Sequence, residues 1–126
     1  MRDLEAHNHR NGIHTLKFFL NVSKEEQARR FLSRIDEPSK NWKFSEHDVR
    51  ERGYWDDYMH AYEDCINATA TPDSPWHVIP ADDKRAMRLI VCKTILQKLE
   101  SLDMHYPKVD DDRRKQLEQY REQLTG

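Results

Sequence analysis

The spacing of apolar side chains divides the chain into strand-like and helix-like stretches. The run IHTLKFFLNV, residues 13–22, is rich in aromatic and branched residues and predicts a buried strand. Ser23 and Glu26 then form a capping-box pattern, which predicts that a helix begins there. One face of this helix is basic, with Arg30 and Arg34, and the opposite face is apolar, with Ala28, Phe31, Leu32 and Ile35.

The same rules predict the remaining elements. Residues 2–11 favour a helix that ends in an Asn11–Gly12 turn, and Pro38 ends the capped helix and opens an irregular segment. Ser45 with Asp48 indicates a second cap and a short helix to about residue 52. The other expected elements are a helix at 54–69, a strand at WHVIP (76–80), a long helix to about 102 and an amphipathic tail helix at about 111–124.

This order of elements predicts an α/β fold that is mainly helical, with about two parallel strands. The helix after WHVIP is almost continuously apolar from Ala86 to Cys92, so we expect it to lie on a sheet. Two strands do not make a stable sheet, and both are expected to be buried. We therefore expect a homo-oligomer, or a partner that supplies more chain, to cover the exposed edge.

Composition excludes several classes of function. The 126 residues are enough for one modest domain, and 35% charged residues indicate a small core with a large solvated surface. A net charge of −2 argues against a nucleic-acid or membrane partner, and there is neither a membrane span nor a signal-peptide core. Cys65 and Cys92 lie outside any CxxC motif and are expected to be buried thiols in a reducing cytoplasm, with Cys65 in the core. His7, His9 and His14 show no metal-ligand pattern.

Charge along the chain is uneven. Residues 29–43 contain five basic and two acidic residues, whereas residues 54–83 contain seven acids and no Lys or Arg. In KNWKFS, Trp42 stands between Lys40 and Lys43. Either the indole packs back onto the helices, or the segment is a lid whose cations close over an anionic substrate while Trp42 anchors the closed form. Arg30 extends this basic surface or pairs with Glu26, four residues earlier.

Four segments in order resemble the second half of the type 2 polyphosphate kinase family: FFLNVSKEEQARRF, KNWKFS, YWDDYMHAYED and PWHVIPADDK. The resemblance runs from about residue 4 to residue 107. It implies a P-loop kinase of thymidylate-kinase-like, three-layer fold. It also implies phosphoryl transfer between inorganic polyphosphate and nucleoside mono- or diphosphates, with magnesium (Mg2+).

The resemblance covers only a C-terminal half. In the family, the P-loop and the Walker B acid lie upstream of the helix with which this chain begins. The 126 residues contain three glycines, Gly12, Gly53 and Gly126, and no GxxxxGK motif with which backbone amides could cradle phosphate. We therefore expect that this chain alone does not catalyse the reaction. We also expect that the Mg2+ ligands lie in the missing half, and that the partner of this chain is that half or another copy of the chain.

The resemblance also implies which residues meet substrate. It assigns Trp42 as lid anchor and a loop at Pro80, Asp82, Asp83 and Lys84 to the nucleoside, although Asp82 or Asp83 would also serve to cap the next helix. It also assigns lid cations to polyphosphate. These are Lys40 and Lys43, together with Arg29 or Arg30 and with Arg50 or Arg52.

The expected division of the chain follows from the same resemblance. Residues 1–107 form the C-terminal part of the catalytic domain, with a helical lid at about 24–69 and a base-side strand and helix at about 76–102. Residues 108–126 form the tail. The alternatives are a non-catalytic module that binds polyphosphate or an intact kinase, and a purely helical interaction protein.

Overall fold

A computed structural model describes all 126 residues and contains six α-helices and two strands. Two short 3₁₀ turns, Pro38–Lys43 and Arg52–Tyr54, also occur. In chain order the elements are α1 (Arg2–Arg10), β1 (Lys17–Asn21), α2 (Lys24–Asp36), α3 (Glu46–Glu51), α4 (Trp55–Thr69), β2 (Trp76–Pro80), α5 (Lys84–Glu100) and α6 (Asp111–Thr125). The chain forms two compact units, residues 1–95 and residues 96–126.

The two strands pair in parallel, with Lys17 opposite Trp76 and Asn21 opposite Pro80. All of the helical segment from α2 to α4 lies between them in the chain, as a parallel crossover requires. The predicted α/β fold is therefore confirmed. β1 is shorter than the predicted 13–22, because only the five residues opposite Trp76–Pro80 find a pairing partner.

The start of α2 confirms half of the predicted capping box. Ser23 Oγ accepts a hydrogen bond from the Glu26 amide at 3.1 Å. The reciprocal bond is absent, since the Ser23 amide donates to Asp82 Oδ1 at 2.7 Å.

The capping hydrogen bond predicted for Ser45 was wrong. α3 begins at Glu46 as expected, but the Ser45 side chain makes no capping hydrogen bond.

The segment after α2 was predicted to be irregular, and this was wrong. Pro38–Lys43 forms a 3₁₀ helix with the proline in its first turn, where the missing amide hydrogen costs nothing. Asn41 Nδ2 donates to the carbonyls of Arg34 and Ile35 at 2.8 and 2.7 Å. These bonds satisfy carbonyls that the end of α2 leaves free and fold the turn back against the helix.

The apolar core is very small. Only Ile79 and Ala81 are buried among the hydrophobic residues. The expectation that both strands are buried was therefore wrong for Leu20 and Val78, which are 46% and 52% exposed. α5 contains no buried residue either, and its Leu89 remains exposed, because a sheet of two strands is too narrow to cover it.

A buried ion pair fixes α1 and the end of α4 to the sheet. Lys17, the first residue of β1, places Nζ 2.8 Å from Glu5 Oε2 and 2.8 Å from the Thr69 carbonyl oxygen. The ammonium also lies 5.4 Å from the centre of the Trp76 ring. The Lys17 and Glu5 side chains are 7% and 9% exposed, so a buried ion pair, and not a cluster of apolar side chains, occupies this junction.

Both cysteines correct the sequence prediction. Cys65 and Cys92 are exposed free thiols, although buried positions were expected for both. Cys65 does lie on the apolar stripe of α4, but that helix contains no buried residue. No helix in residues 1–126 combines the length and apolar character that crossing a bilayer requires.

Candidate functional site at the carboxyl ends of the strands

The carboxyl ends of β1 and β2 open into one concave site. In α/β proteins with parallel strands, ligands bind outside this edge of the sheet. Here a cavity of about 430 Å³ is lined by Asn21 and Ser23 at the end of β1, by Pro80 to Asp83 at the end of β2, and by Ala86 and Ile90 of α5. Asn21 and Ser23 were not among the predicted site residues, and their position at the end of the predicted strand, residues 13–22, was the signal that would have found them.

The two aspartates of the β2–α5 loop have different roles. Asp83 caps α5, because its Oδ1 accepts from the amides of Arg85 and Ala86 at 2.8 and 3.0 Å. Asp82 instead accepts from the Ser23 amide, across the cavity mouth. Both pKa values are lowered: the backbone hydrogen bond from Ala86, then that from Arg85, favours the Asp83 carboxylate, and the hydrogen bond from Ser23 favours that of Asp82. Lys84 is exposed and makes no hydrogen bond or ion pair.

The predicted cations of α2 lie beside this loop. Arg30 Nη2 donates to the carbonyl oxygens of Ala81 and Asp82 at 2.7 and 3.2 Å, and its Nε donates to Glu26 Oε1 at 2.8 Å. Arg29 pairs with the other oxygen of Glu26 and is otherwise exposed. The hydrogen bond from Arg30, then that from Arg29, lowers the pKa of Glu26. Arg30 is therefore held in the fold, whereas Arg29 faces solvent.

The 3₁₀ turn presents the predicted lid cations. Lys40 Nζ lies 2.5 Å from Glu37 Oε2, and the hydrogen bond from Lys40 lowers the pKa of Glu37. Lys43 has no acidic partner, and its Nζ lies 4.9 Å from the centre of the Trp42 ring. Trp42 is 79% exposed, so the interpretation in which it packs back onto the helices is wrong.

The last two predicted cations differ in their surroundings. Arg52 Nη1 donates to the Lys24 carbonyl oxygen at 2.6 Å and to Gln27 Oε1 at 2.9 Å, which ties the turn before α4 to the start of α2. Arg50 is exposed and has no hydrogen-bond or ion-pair partner. Among the six predicted cations, Lys43 and Arg50 are therefore the two without a polar partner.

A resident metal does not fit these residues. No group of three or more His, Cys, Asp or Glu side chains in residues 1–126 is arranged to hold a metal ion. Asp82 and Asp83, the acids nearest the cavity, each accept from backbone amides.

The parallel strand pair and the helical segment between its strands match part of the fold of a known polyphosphate kinase. The crystal structure of polyphosphate kinase 2 from Arthrobacter aurescens is 41% identical and superposes with a TM-score of 0.83, over 92% of this chain and 42% of that protein. The model of the family Polyphosphate kinase 2 (PPK2) matches residues 1–107, and the chain belongs to this family.

Two relatives cover this chain over most of its length. An ADP-polyphosphate phosphotransferase of Rhodopseudomonas palustris is 57% identical over 98% of this chain, which spans only 43% of that relative. An uncharacterised protein of Leptolyngbya boryana is 56% identical over 85% of this chain and 79% of its own length. This chain thus spans less than half of the phosphotransferase and most of the shorter relative.

Proposed function

We propose that these residues form the lid and the nucleoside side of a polyphosphate:nucleotide phosphotransferase. One observation carries the proposal beyond family membership. The turn between α2 and α3 holds Trp42 exposed, with the unpaired ammonium of Lys43 over its ring. A lid that closes over a polyanion uses both groups, the ammonium to bind the charge and the indole to anchor the closed form.

The chemistry needs positioning and charge more than covalent participation. Phosphoryl transfer spreads negative charge over non-bridging oxygens, which cations stabilise. In the proposed closed form Lys43 and Arg50 bind polyphosphate oxygens directly. Arg29 and Lys40 join them by exchanging their carboxylate partners, the buried Glu26 and the exposed Glu37, for phosphate.

The nucleoside side is proposed at the β2–α5 loop. Pro80 lines the cavity, and Lys84 is the charged side chain of the loop that has no partner, so it is free for a nucleotide phosphate. On this proposal residues 1–107 belong to the catalytic domain, with the lid at 24–69, the base-side elements at 76–102 and residues 108–126 as a tail. The acceptor class is a nucleoside mono- or diphosphate.

The 126 residues alone are proposed to be inactive, because they contain no phosphate-cradling P-loop. The test is polyphosphate-driven phosphorylation of AMP, ADP or GDP with Mg2+ present. We expect no turnover by the chain alone, and turnover after adding the P-loop half of the Rhodopseudomonas relative. Turnover by the chain alone at the rate of that intact relative would refute the proposal.

The lid assignment has its own variants. In the reconstituted enzyme, replacing Lys40 and Lys43 with alanine should raise the KM for polyphosphate at least tenfold and leave the KM for nucleotide within twofold. The matched control removes the same charge outside the family match, by Lys108→Ala with Lys115→Ala, and should change neither KM. Equal effects of the two double variants would refute a specific lid.

A second candidate is a non-catalytic module that binds polyphosphate or an intact kinase. The Leptolyngbya relative favours this candidate, because that protein is also short: the 107 matched residues make up 79% of its length. In this case the chain binds polyphosphate but adds no turnover to the P-loop half.

For either function, we propose that another copy of the chain, or the P-loop half, covers the exposed Leu20 and Val78. A strictly monomeric chain in light scattering at tens of micromolar would contradict self-association.

A further inference from the structure

The N-terminal end of α2 is capped by two different parts of the chain. Ser23 Oγ accepts from the Glu26 amide, as in an ordinary capping box. In that motif the side chain of the third helical residue would return to the Ser23 amide. Here Asp82 takes its place, 59 residues away in sequence, with Oδ1 2.7 Å from Ser23 N. The second half of the capping box is therefore a tertiary contact.

The carboxylate of Glu26, which the capping box does not use, strengthens the same junction. Glu26 is buried and accepts from Arg30 Nε at 2.8 Å. This bond orients the guanidinium so that Nη2 reaches the carbonyl oxygens of Ala81 and Asp82. Ala81 is also buried, although Asp82 is exposed, so breaking the bond from Arg30 leaves the Ala81 carbonyl without this partner.

The loop itself is held on both sides of this contact. The Ala81 amide donates to the Asn21 carbonyl oxygen at 2.9 Å, which continues the pairing of β1 with β2. Asp83 is fixed by its cap on α5. The end of β1, the loop after β2 and the first two turns of α2 are thus joined by hydrogen bonds.

From this geometry we propose that Asp82 and Arg30 are positioning residues that make α2 part of the rigid base of the lid. This inference rests on the proposed function. Lid closure then pivots after α2, at Glu37–Pro38, where the backbone leaves the helix with φ −100° and ψ 109°. This movement requires the Asn41 bonds to the Arg34 and Ile35 carbonyls to open. Neither Asp82 nor Arg30 binds polyphosphate, and the moving part begins at the 3₁₀ turn that holds Trp42.

Amide hydrogen exchange of the full 126-residue chain, measured residue by residue by NMR, tests the junction. Asp82→Ala should speed exchange at the Ser23 amide about tenfold. Asp82→Asn should keep the exchange rate at Ser23 within threefold of the rate in the original chain, because a side-chain amide oxygen also accepts a hydrogen bond. The matched control is Asp83→Ala, of equal charge in the same loop, which should act on the Arg85 and Ala86 amides and leave Ser23 unchanged.

A measurement on the unmodified chain covers the case in which Asp82→Ala does not fold. The Ser23 amide nitrogen should show a scalar coupling through the hydrogen bond to the carboxyl carbon of Asp82. Absence of that coupling would overturn the proposal. So would an exchange rate at Ser23 that Asp82→Ala leaves within twofold of the original.

Titration with inorganic polyphosphate tests the pivot and separates the two proposals. Polyphosphate should shift the resonances of Arg29 and of residues 37–52 and leave Ser23 protection unchanged. It should bind Asp82→Ala with an affinity within twofold of that for the original chain. Loss of Ser23 protection on binding, or a tenfold weaker affinity of Asp82→Ala, would overturn the positioning role. A failure of the original chain to bind polyphosphate would refute the proposed function and the pivot built on it, while the exchange data still decide the junction.

Discussion

Lys17→Met removes the only cation from a junction that has almost no water. The Lys17 ammonium lies 2.8 Å from both Glu5 Oε2 and the Thr69 carbonyl oxygen, in a region where neither charged side chain is more than 9% exposed. Methionine keeps most of the stem and its packing on Trp76. The variant therefore isolates the loss of charge, which leaves Glu5 as an uncompensated buried carboxylate.

The expected loss of stability is large for this chain. Removing one partner of a buried ion pair costs about 3–5 kcal/mol, mainly through the charge left behind. A domain of this size has a free energy of unfolding of about 5–15 kcal/mol, and only two hydrophobic residues are buried here. We therefore expect Lys17→Met to remove about a fifth or more of the stability. Adding Glu5→Leu removes both charges and should restore most of it.

Urea unfolding followed by circular dichroism measures these differences. Lys43→Met is the matched control, because it makes the same change at a lysine with no acidic partner, and it should alter stability by less than about 0.5 kcal/mol. A loss below about 1 kcal/mol for Lys17→Met would refute the reasoning. A double variant with Glu5→Leu that is no more stable than Lys17→Met would refute it as well.

Three further predictions concern other parts of the chain. The hydrogen bond from Arg30 lowers the pKa of Glu26, so its stabilisation is present above the unfolded-state pKa of about 4.3 and lost as pH falls through the lower folded value. Glu26→Gln should flatten the fall in urea midpoint below about pH 5, and an unchanged acid profile would contradict this. Cys65 and Cys92 are exposed, so both thiols should react with a chromogenic disulfide reagent without denaturant, whereas reaction only in urea would show burial. Trp42→Ala should change the free energy of unfolding by less than about 0.5 kcal/mol, and a loss above about 2 kcal/mol would make the indole a core residue.

Elements with a strong local signal were predicted almost to the residue. β2 has the predicted bounds, and α4 begins one residue later than expected. The 3₁₀ turn was missed because Pro38 was taken only as a helix breaker, although a proline also opens a helical turn. Cys65 was assigned to the core because an amphipathic stripe shows which face is apolar and not whether anything covers it.

The contacts of the candidate site are mostly long-range and could not be predicted. The pattern around Ser23 and Glu26 predicted the helix start, but not that the Ser23 amide would bind Asp82. In the same way, Arg30 was recognised as a basic residue near Glu26, but its bonds to the carbonyls after β2 join positions 51 and 52 residues apart. The structure also decides between the two loop acids, since Asp83 and not Asp82 caps α5.

The parallel register of the sheet also sets the order in which the molecule assembles. Lys17 and Trp76 are partners although 59 residues separate them, so pairing them in a flexible chain costs about 3.6 kcal/mol in the length-dependent part of the closure entropy alone. Helices α2 to α4 contain only short-range hydrogen bonds along their own backbone and form far faster than such a closure. Once formed, they shorten the path between the strand ends, so the sheet completes folding rather than starting it. Mutations that lengthen the helical crossover should therefore slow refolding more than they speed unfolding.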